Sequence, residues 1–192
     1  MRLLLAAIPR SILWLGFMTS LCTLSNMALS NPPAYLAIII DDLGHNLSNG
    51  ERAVRLSSPV TYAVLPDSIH AKTISLLAHT SNKEVLVHLP MTNHSNHPDS
   101  PNTLNEQQAE HEFLETIDRA IQQVPYAIGI NNHMGSRLTQ QRTQMTWLMQ
   151  DLKKRDMFFI DSRTTPATVA EQVARETNLK AAHRDVSVSY TH

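Results

Sequence analysis

Cysteine is nearly absent from this 192-residue sequence, and the single Cys22 lies in an apolar stretch near the N-terminus. From residue 31 onward there is no thiol, which excludes a cysteine nucleophile, thiolate-bound zinc and an internal disulfide there. An excess of charge is also absent, because 16 Lys and Arg against 17 Asp and Glu leave a formal net charge of -1. Proteins that bind nucleic acid through its phosphates need a basic surface, so we expect no nucleic-acid partner.

Glycine-rich and long apolar segments are scarce as well. The chain has 5 Gly, and residues 41–44, which follow the first predicted strand, lack the glycines of a phosphate-binding loop. We therefore expect no dinucleotide or nucleoside triphosphate site. The mean hydropathy of -0.21 excludes a multispan membrane protein. The composition that remains is typical of one globular domain of about 100–200 residues.

The first 30 residues differ from the rest and follow the pattern of a secretory signal. Arg2 and Arg10 supply positive charge, residues 11–24 carry none, and Ala28 and Ser30 have the small-residue spacing of a cleavage site. We expect residues 1–30 to be a signal peptide, 31–34 a short lead-in and 35–192 the folded domain, in the periplasm or secreted. An uncleaved membrane anchor is the alternative, because a spanning helix needs only about 20 mostly apolar residues.

Apolar runs of strand length alternate with helical stretches along the remaining chain. The predicted strands are residues 35–41, 60–65, 84–89, 127–130, 157–160 and 181–188. Strands that alternate with helices predict an α/β domain with a mostly parallel sheet. The pattern fits both an open doubly wound sheet and a barrel.

Polar side chains cluster where four of these predicted strands end. They are Asp41 and Asp42, then His88, then Asn131, Asn132 and His133, and finally Asp161 and Arg163. In both architectures ligands bind beyond the carboxyl ends of the strands, so these side chains are expected to share one rim. This convergence is the strongest functional signal in the sequence.

Each of these residues also has a structural interpretation. Asp42 can cap a turn with Gly44, and a lone buried His88 can be a hydrogen-bonded core residue. Asp161 and Arg163 can form an ion pair that stabilises a loop. Their shared position at strand ends favours function, because independent structural accidents would not all select these positions.

One Asp and two His match the donor set of a catalytic zinc site that leaves one position open for water. Zinc lowers the pKa of its bound water toward about 7 and polarises a carbonyl group. A second carboxylate beside the metal can serve as general base. The residues therefore predict metal-assisted hydrolysis of an amide or ester.

Five segments resemble the divergent polysaccharide deacetylases, a distant branch of the esterases that remove N- or O-acetyl groups from polysaccharides. The segments are 38–44 (IIIDDLG), 60–66 (VTYAVLP), 84–91 (EVLVHLPM), 129–137 (GINNHMGSR) and 158–165 (FFIDSRTT). The resemblance covers nearly all of residues 35–188. It implies an irregular (β/α) barrel and, as substrate, an acetylated envelope glycan such as peptidoglycan.

The resemblance also implies roles for the rim residues. Asp41 matches the catalytic base and Asp42 the metal-ligand position, while His88 and His133 complete a site for a divalent metal, zinc by preference. Asn132, Asp161 and Arg163 match positions that contact substrate or support the metal ligands. Ordinary deacetylases take two metal histidines from one motif, a helical turn apart, whereas only His88 is present there in this sequence.

The C-terminal end departs from the family pattern. Members usually continue into a further helix and a strand that carries a Gly-His-Pro motif, which is missing here. We therefore expect a barrel that is incomplete at its C-terminus, with marginal stability and weak activity. The alternative function is a non-catalytic protein that binds glycans or envelope proteins and retains the deacetylase fold.

Overall fold

The computed structural model describes residues 35–95 and 100–188 of the chain. The strands are β1 (Ile39–Leu43), β2 (Thr61–Val64), β3 (Val85–Met91), β4 (Ala127–Met134), β5 (Phe158–Asp161) and β6 (Ala181–His183). The helices are α1 (Leu47–Val54), α2 (Ala71–Thr80), α3 (Glu110–Gln123), α4 (Arg142–Lys154) and α5 (Ala170–Thr177), with a 3-10 helix at Leu138–Gln140. The predicted signal peptide, 1–30, and lead-in, 31–34, lie outside the described residues. In the described ranges, no helix is both long and apolar enough to cross a membrane.

The six strands form one parallel sheet in which spatial order follows chain order, from β1 to β6. A doubly wound sheet reverses its strand order at a switch point, whereas a (β/α) barrel adds each new strand on the same side. The strand order therefore confirms the predicted α/β fold. It favours the barrel over the open doubly wound sheet. In the described part of the chain, β1 and β6 are the edges of the sheet.

The core lies between the sheet and the helices that cover it. All seven residues of β3 are buried, as expected for a central strand of a parallel sheet. Helix α3 buries Phe113, Ile117 and Ala120 at the spacing of one helical face. Helix α4 places four residues on its buried side, namely Met145, Leu148, Met149 and Leu152.

Two strands run further than the sequence predicts, and both extensions reach the site. We expected Pro90 to end the third strand, but β3 continues through Pro90 to Met91. The carbonyl oxygen of Pro90 accepts a hydrogen bond from the Leu104 amide, and Pro90 lies opposite His133 in the parallel register. Likewise β4 continues past Ile130 to Met134, so that its polar residues lie within the strand and alternate between its two faces.

The outer strands are shorter and less buried than expected. We predicted a buried first strand over 35–41, but β1 covers Ile39–Leu43 and most of its residues are only partly buried. An edge strand lacks a neighbour on one side, and this position explains its exposure. The sixth strand, predicted over 181–188, covers only Ala181–His183.

Candidate metal site at the carboxyl ends of the strands

Three side chains that the sequence singles out converge at the carboxyl end of the sheet. The Oδ1 atom of Asp42 lies 3.2 Å from Nε2 of His88 and 3.0 Å from Nδ1 of His133. The two histidine nitrogens lie 3.2 Å from each other. In the described residues this is the one group of three or more His, Cys, Asp or Glu side chains with the geometry to hold a metal ion. We call these three residues the metal triangle.

The metal triangle has the dimensions of a zinc site. Zinc binds nitrogen and carboxylate oxygen at about 2.0–2.1 Å with tetrahedral geometry, which separates neighbouring donor atoms by about 3.3 Å. The three observed separations of 3.0, 3.2 and 3.2 Å are close to that value. Two imidazoles and one carboxylate also form a donor set that zinc favours, so the residues present fit the predicted metal.

Asn131 fixes which nitrogen of His88 faces the metal triangle. Its amide Nδ2 donates to Oδ1 of Asp41 at 2.8 Å, and its Oδ1 lies 2.9 Å from Nδ1 of His88. Because that oxygen accepts, Nδ1 of His88 carries a proton, so Nε2 is the nitrogen that would present its lone pair to a bound metal and can instead donate to Asp42 when it is protonated. Three acceptor atoms facing one another at such short range repel unless a proton or a cation lies between them.

The backbone of Asp42 explains how consecutive aspartates reach one site. Asp42 has φ 61, in the left-handed region, and the pairing of β1 with β2 shifts register between Ile40 and Leu43. Such an irregularity re-aims a side chain that the regular alternation of a strand would direct elsewhere. Asp tolerates the left-handed conformation better than most residues, although at some cost in stability.

The metal triangle is closed toward the protein and open toward solvent. The side chain of His88 is 4% exposed and that of His133 is 26% exposed, whereas the side chain of Asp42 is 64% exposed. Hydrogen bonding to the His133 ring, and then to the His88 ring, holds the pKa of the Asp42 carboxyl well below its usual range. The site therefore keeps an ionised carboxylate at its open side, where a substrate can approach.

Asp41 lies beside the metal triangle and does not belong to it. Its Oδ1 accepts from Asn131 and lies 3.9 Å from Nδ1 of His88, which is beyond hydrogen-bonding distance. Its side chain is 30% exposed. A carboxylate held next to a metal site and still reached by solvent is suited to a general base, and that role stays a prediction.

The remaining rim residues hold the loops around the site. Asn132 accepts from the Ser162 amide at 2.8 Å and donates to the Met134 carbonyl at 2.7 Å, which joins the ends of β4 and β5. Asp161 is buried and accepts from the Arg163 amide and from the Thr168 hydroxyl, each at 2.8 Å. Their contact with substrate stays a prediction.

The alternative interpretation of Asp161 and Arg163 as an ion pair is wrong, because their two side chains do not pair with each other. The Arg163 guanidinium instead pairs with Glu171 at 3.0 Å, and only the backbone amide of Arg163 reaches Asp161. The short loop after β5 brings this amide back to the carboxylate, while the long side chain extends toward α5. Arg163 thus ties the loop to the helix.

A cavity of about 130 Å³ lies beside the metal triangle and has His133 in its wall. We call it the side cavity. Four apolar side chains line one part of it, namely Leu65, Pro90, Met91 and Met134. Polar residues line the rest, namely His45, Asp67, Ser68, Asn93, Ser100 and Thr103. A mixed apolar and polar wall next to a reactive centre is typical of a small-ligand site.

The prediction that Asp42, His88 and His133 converge at one edge of the sheet is confirmed. The sequence also placed Asn131 at this edge but gave it no role, and it gave no sign of the side cavity. Asn131 lies two residues before His133, and in a strand that spacing puts both side chains on one face. The sequence contains this spacing, but it could not be used to pair the two side chains, because the fourth strand was predicted to end at Ile130. The side cavity has no comparable local signal, because its wall comes from several separate loops.

Comparison with known proteins gives one family and one fold. A family model described as divergent polysaccharide deacetylase matches residues 38–189. The chain is 41% identical over 162 residues to the uncharacterized protein YibQ of Escherichia coli K12, covering 83% of this chain and 51% of that protein. It is 31% identical over 170 residues to an uncharacterized protein of Haemophilus influenzae, covering 88% of this chain and 59% of that one. The chain thus spans little more than half the length of these curated relatives.

A solved structure shares the architecture. The crystal structure of an uncharacterized protein from Agrobacterium tumefaciens C58 superposes with a TM-score of 0.73 at 19% sequence identity. The superposition covers 81% of this chain and 66% of that one. At this low identity the likeness concerns the fold alone. The family match over residues 38–189 agrees with the five sequence motifs, and the chain belongs to the divergent polysaccharide deacetylase family.

Proposed function

We propose that this protein is a metal-dependent hydrolase that removes N- or O-acetyl groups from an envelope glycan. The observation that carries the proposal is the metal triangle, in which Asp42, His88 and His133 face one another at zinc-site distances. Family membership supports a carbohydrate substrate. The side cavity supplies space for part of such a substrate directly beside the metal triangle.

The proposed mechanism assigns a separate task to each residue. Asp42, His88 and His133 would hold zinc, which supplies an acidified water and polarises the acyl carbonyl. Asp41 accepts the proton of the attacking water, because it is a partly exposed carboxylate next to the metal triangle. Asn131 keeps the Nδ1 proton of His88 directed away from the site and holds Asp41 in place.

Export to the periplasm or secretion is part of the proposal. An acetylated envelope glycan lies outside the cytoplasm, and residues 1–30 carry the pattern of a secretory signal. A chain without cysteine after residue 31 needs no disulfide chemistry in that compartment.

Metal content is the first experiment. Protein purified in the presence of zinc and then desalted should retain close to stoichiometric zinc by elemental analysis. The His133→Ala variant should lose it, because one of the three donors is removed. His111→Ala is the matched control, since His111 is exposed on α3 and lies outside the metal triangle.

Release of acetate from acetylated glycans is the second experiment. Wild-type protein should release acetate with zinc and stop when zinc is chelated, and Asp41→Asn should retain zinc but lose most activity. Zinc binding without any acetate release from N- or O-acetylated glycans would contradict the hydrolase proposal. It would favour a glycan-binding protein that retains the fold.

A further inference from the structure

The side cavity carries one carboxylate, and it comes from Asp67. In the described residues its wall contains no Lys or Arg, and its other titratable side chains are His45 and His133. Asp67 also forms no ion pair with any residue of the described ranges. The described wall of the cavity therefore combines a carboxylate that has no ion-pair partner with apolar side chains.

Asn102 fixes this carboxylate in position. The backbone amide of Asn102 donates to Oδ2 of Asp67 at 3.1 Å, and its side-chain Nδ2 donates to Oδ1 at 2.5 Å. Asn102 is 2% exposed, and within the described part of the chain its own Oδ1 has no hydrogen-bond partner. A buried acceptor without a partner lowers stability, so the arrangement holds Asp67 at an energetic cost.

The combination suits a sugar residue. Each Asp67 oxygen accepts one hydrogen bond from Asn102 and has further acceptor capacity for sugar hydroxyls. The apolar lining residues, among them Pro90, Met91 and Met134, offer contact for the carbon face of a pyranose ring. His133 in the same wall places the ring next to the metal triangle.

We propose that the side cavity is a sugar subsite in which Asp67 selects an uncharged sugar residue over an anionic one. This inference rests on the proposed function, because it concerns the sugar next to the acetyl group that is removed. An anionic sugar would bring a second carboxylate close to Asp67 in a partly enclosed site whose described wall holds no Lys or Arg. Like-charge juxtaposition of this kind disfavours binding and is a common means of specificity.

Direct binding to metal-stripped protein tests the proposal without requiring catalysis. Two tetrasaccharides serve as probes in calorimetric titration: N-acetylated chitotetraose, which is uncharged, and the hyaluronan tetrasaccharide, in which N-acetylglucosamine alternates with glucuronate. Wild-type protein should bind chitotetraose at least about tenfold more tightly than the hyaluronan probe. Raising the salt concentration should reduce this preference, because salt screens the repulsion.

The Asp67→Asn variant removes the charge while keeping the size of the side chain. It should bind the hyaluronan probe more tightly and chitotetraose more weakly, which brings the two affinities within about threefold. Asp156→Asn is the matched control, because Asp156 is exposed and lies in the turn before β5, at the opposite end of the strands. That variant should keep the wild-type preference.

Several outcomes would overturn the proposal. They are equal binding of the two probes by wild-type protein, an unchanged preference in Asp67→Asn, or no binding of either probe. The salt series on wild-type protein decides the question even if the Asp67 variant does not fold. Charge-selective binding of chitotetraose without acetate release would instead support the subsite and count against the hydrolase.

Discussion

Replacing Asn131 with alanine should weaken zinc binding indirectly, because Asn131 is hydrogen-bonded to His88 and Asp41. The substitution removes the acceptor for Nδ1–H of His88 and the donor to Asp41, which are hydrogen bonds of 2.9 and 2.8 Å. The His88 ring is then free to rotate or to change tautomer, and its Nε2 is no longer committed to the metal triangle. Loss of such supporting hydrogen bonds typically lowers metal affinity about 10–100-fold, which corresponds to about 1.4–2.7 kcal/mol.

The neighbouring residue provides the matched control. Asn132 is 1% exposed, as is Asn131, and its amide also makes two hydrogen bonds. Those bonds join Ser162 and Met134, however, on the other face of β4. Asn132→Ala should therefore destabilise the protein, by about 1–3 kcal/mol for unsatisfied buried groups, and leave zinc affinity within about threefold of wild type.

Competition with a chromophoric zinc chelator measures both affinities, and thermal unfolding of the metal-free proteins measures both stabilities. Our reasoning predicts that the two variants lose similar stability and that only Asn131→Ala loses affinity. Wild-type zinc affinity in Asn131→Ala would refute the supporting role of Asn131. An equal loss in Asn132→Ala would show that the effect comes from general damage to the strand.

Three further predictions concern stability and export. Gly44→Ala should destabilise the fold by about 2–4 kcal/mol in chemical denaturation, because Gly44 has φ 121 and an added Cβ would lie 1.8 Å from Oγ of Ser68; an unchanged midpoint would contradict this. Because the pKa of Asp42 is lowered on folding, its stabilising effect should be full above the unfolded-state value of about 3.9 and lost as pH falls below it. The stability difference between metal-free wild type and Asp42→Asn should therefore shrink in acid, and a constant difference would refute the effect. N-terminal sequencing of the exported protein should begin near Asn31, whereas an intact Met1 in the membrane fraction would indicate an anchor.

The convergence of the metal triangle could be predicted from the sequence, because each of its residues is placed by the short apolar run beside it. Each of the three ligands lies within a few residues of the predicted carboxyl end of an apolar run. Parallel strands bring those ends to one edge of the sheet. The pattern needs only approximate strand positions. An error of a few residues still leaves Asp42, His88 and His133 on the same side.

The supporting contacts require an accuracy that local patterns do not supply. Proline usually interrupts pairing, so Pro90 predicted the end of a strand that in fact continues to Met91. With the fourth strand also ended too early, the alternation that separates Asn131 from Asn132 could not be used. The left-handed backbone of Asp42 and the pairing of Asp67 with Asn102 depend on tertiary contacts, and no short sequence window contains them.

The position of the metal triangle in the sheet has a mechanical consequence. Its ligands come from β1, an edge strand that is only partly buried, and from β3 and β4 near the centre of the sheet. A bound ion would therefore fasten the edge strand to the core, as a cross-link does between distant parts of a chain. Metal binding would raise the free energy needed to detach β1 before it changed that of the central strands. Amide hydrogen exchange should accordingly slow first and most in β1 when zinc is added, which makes the edge of the sheet the reporter of metal occupancy.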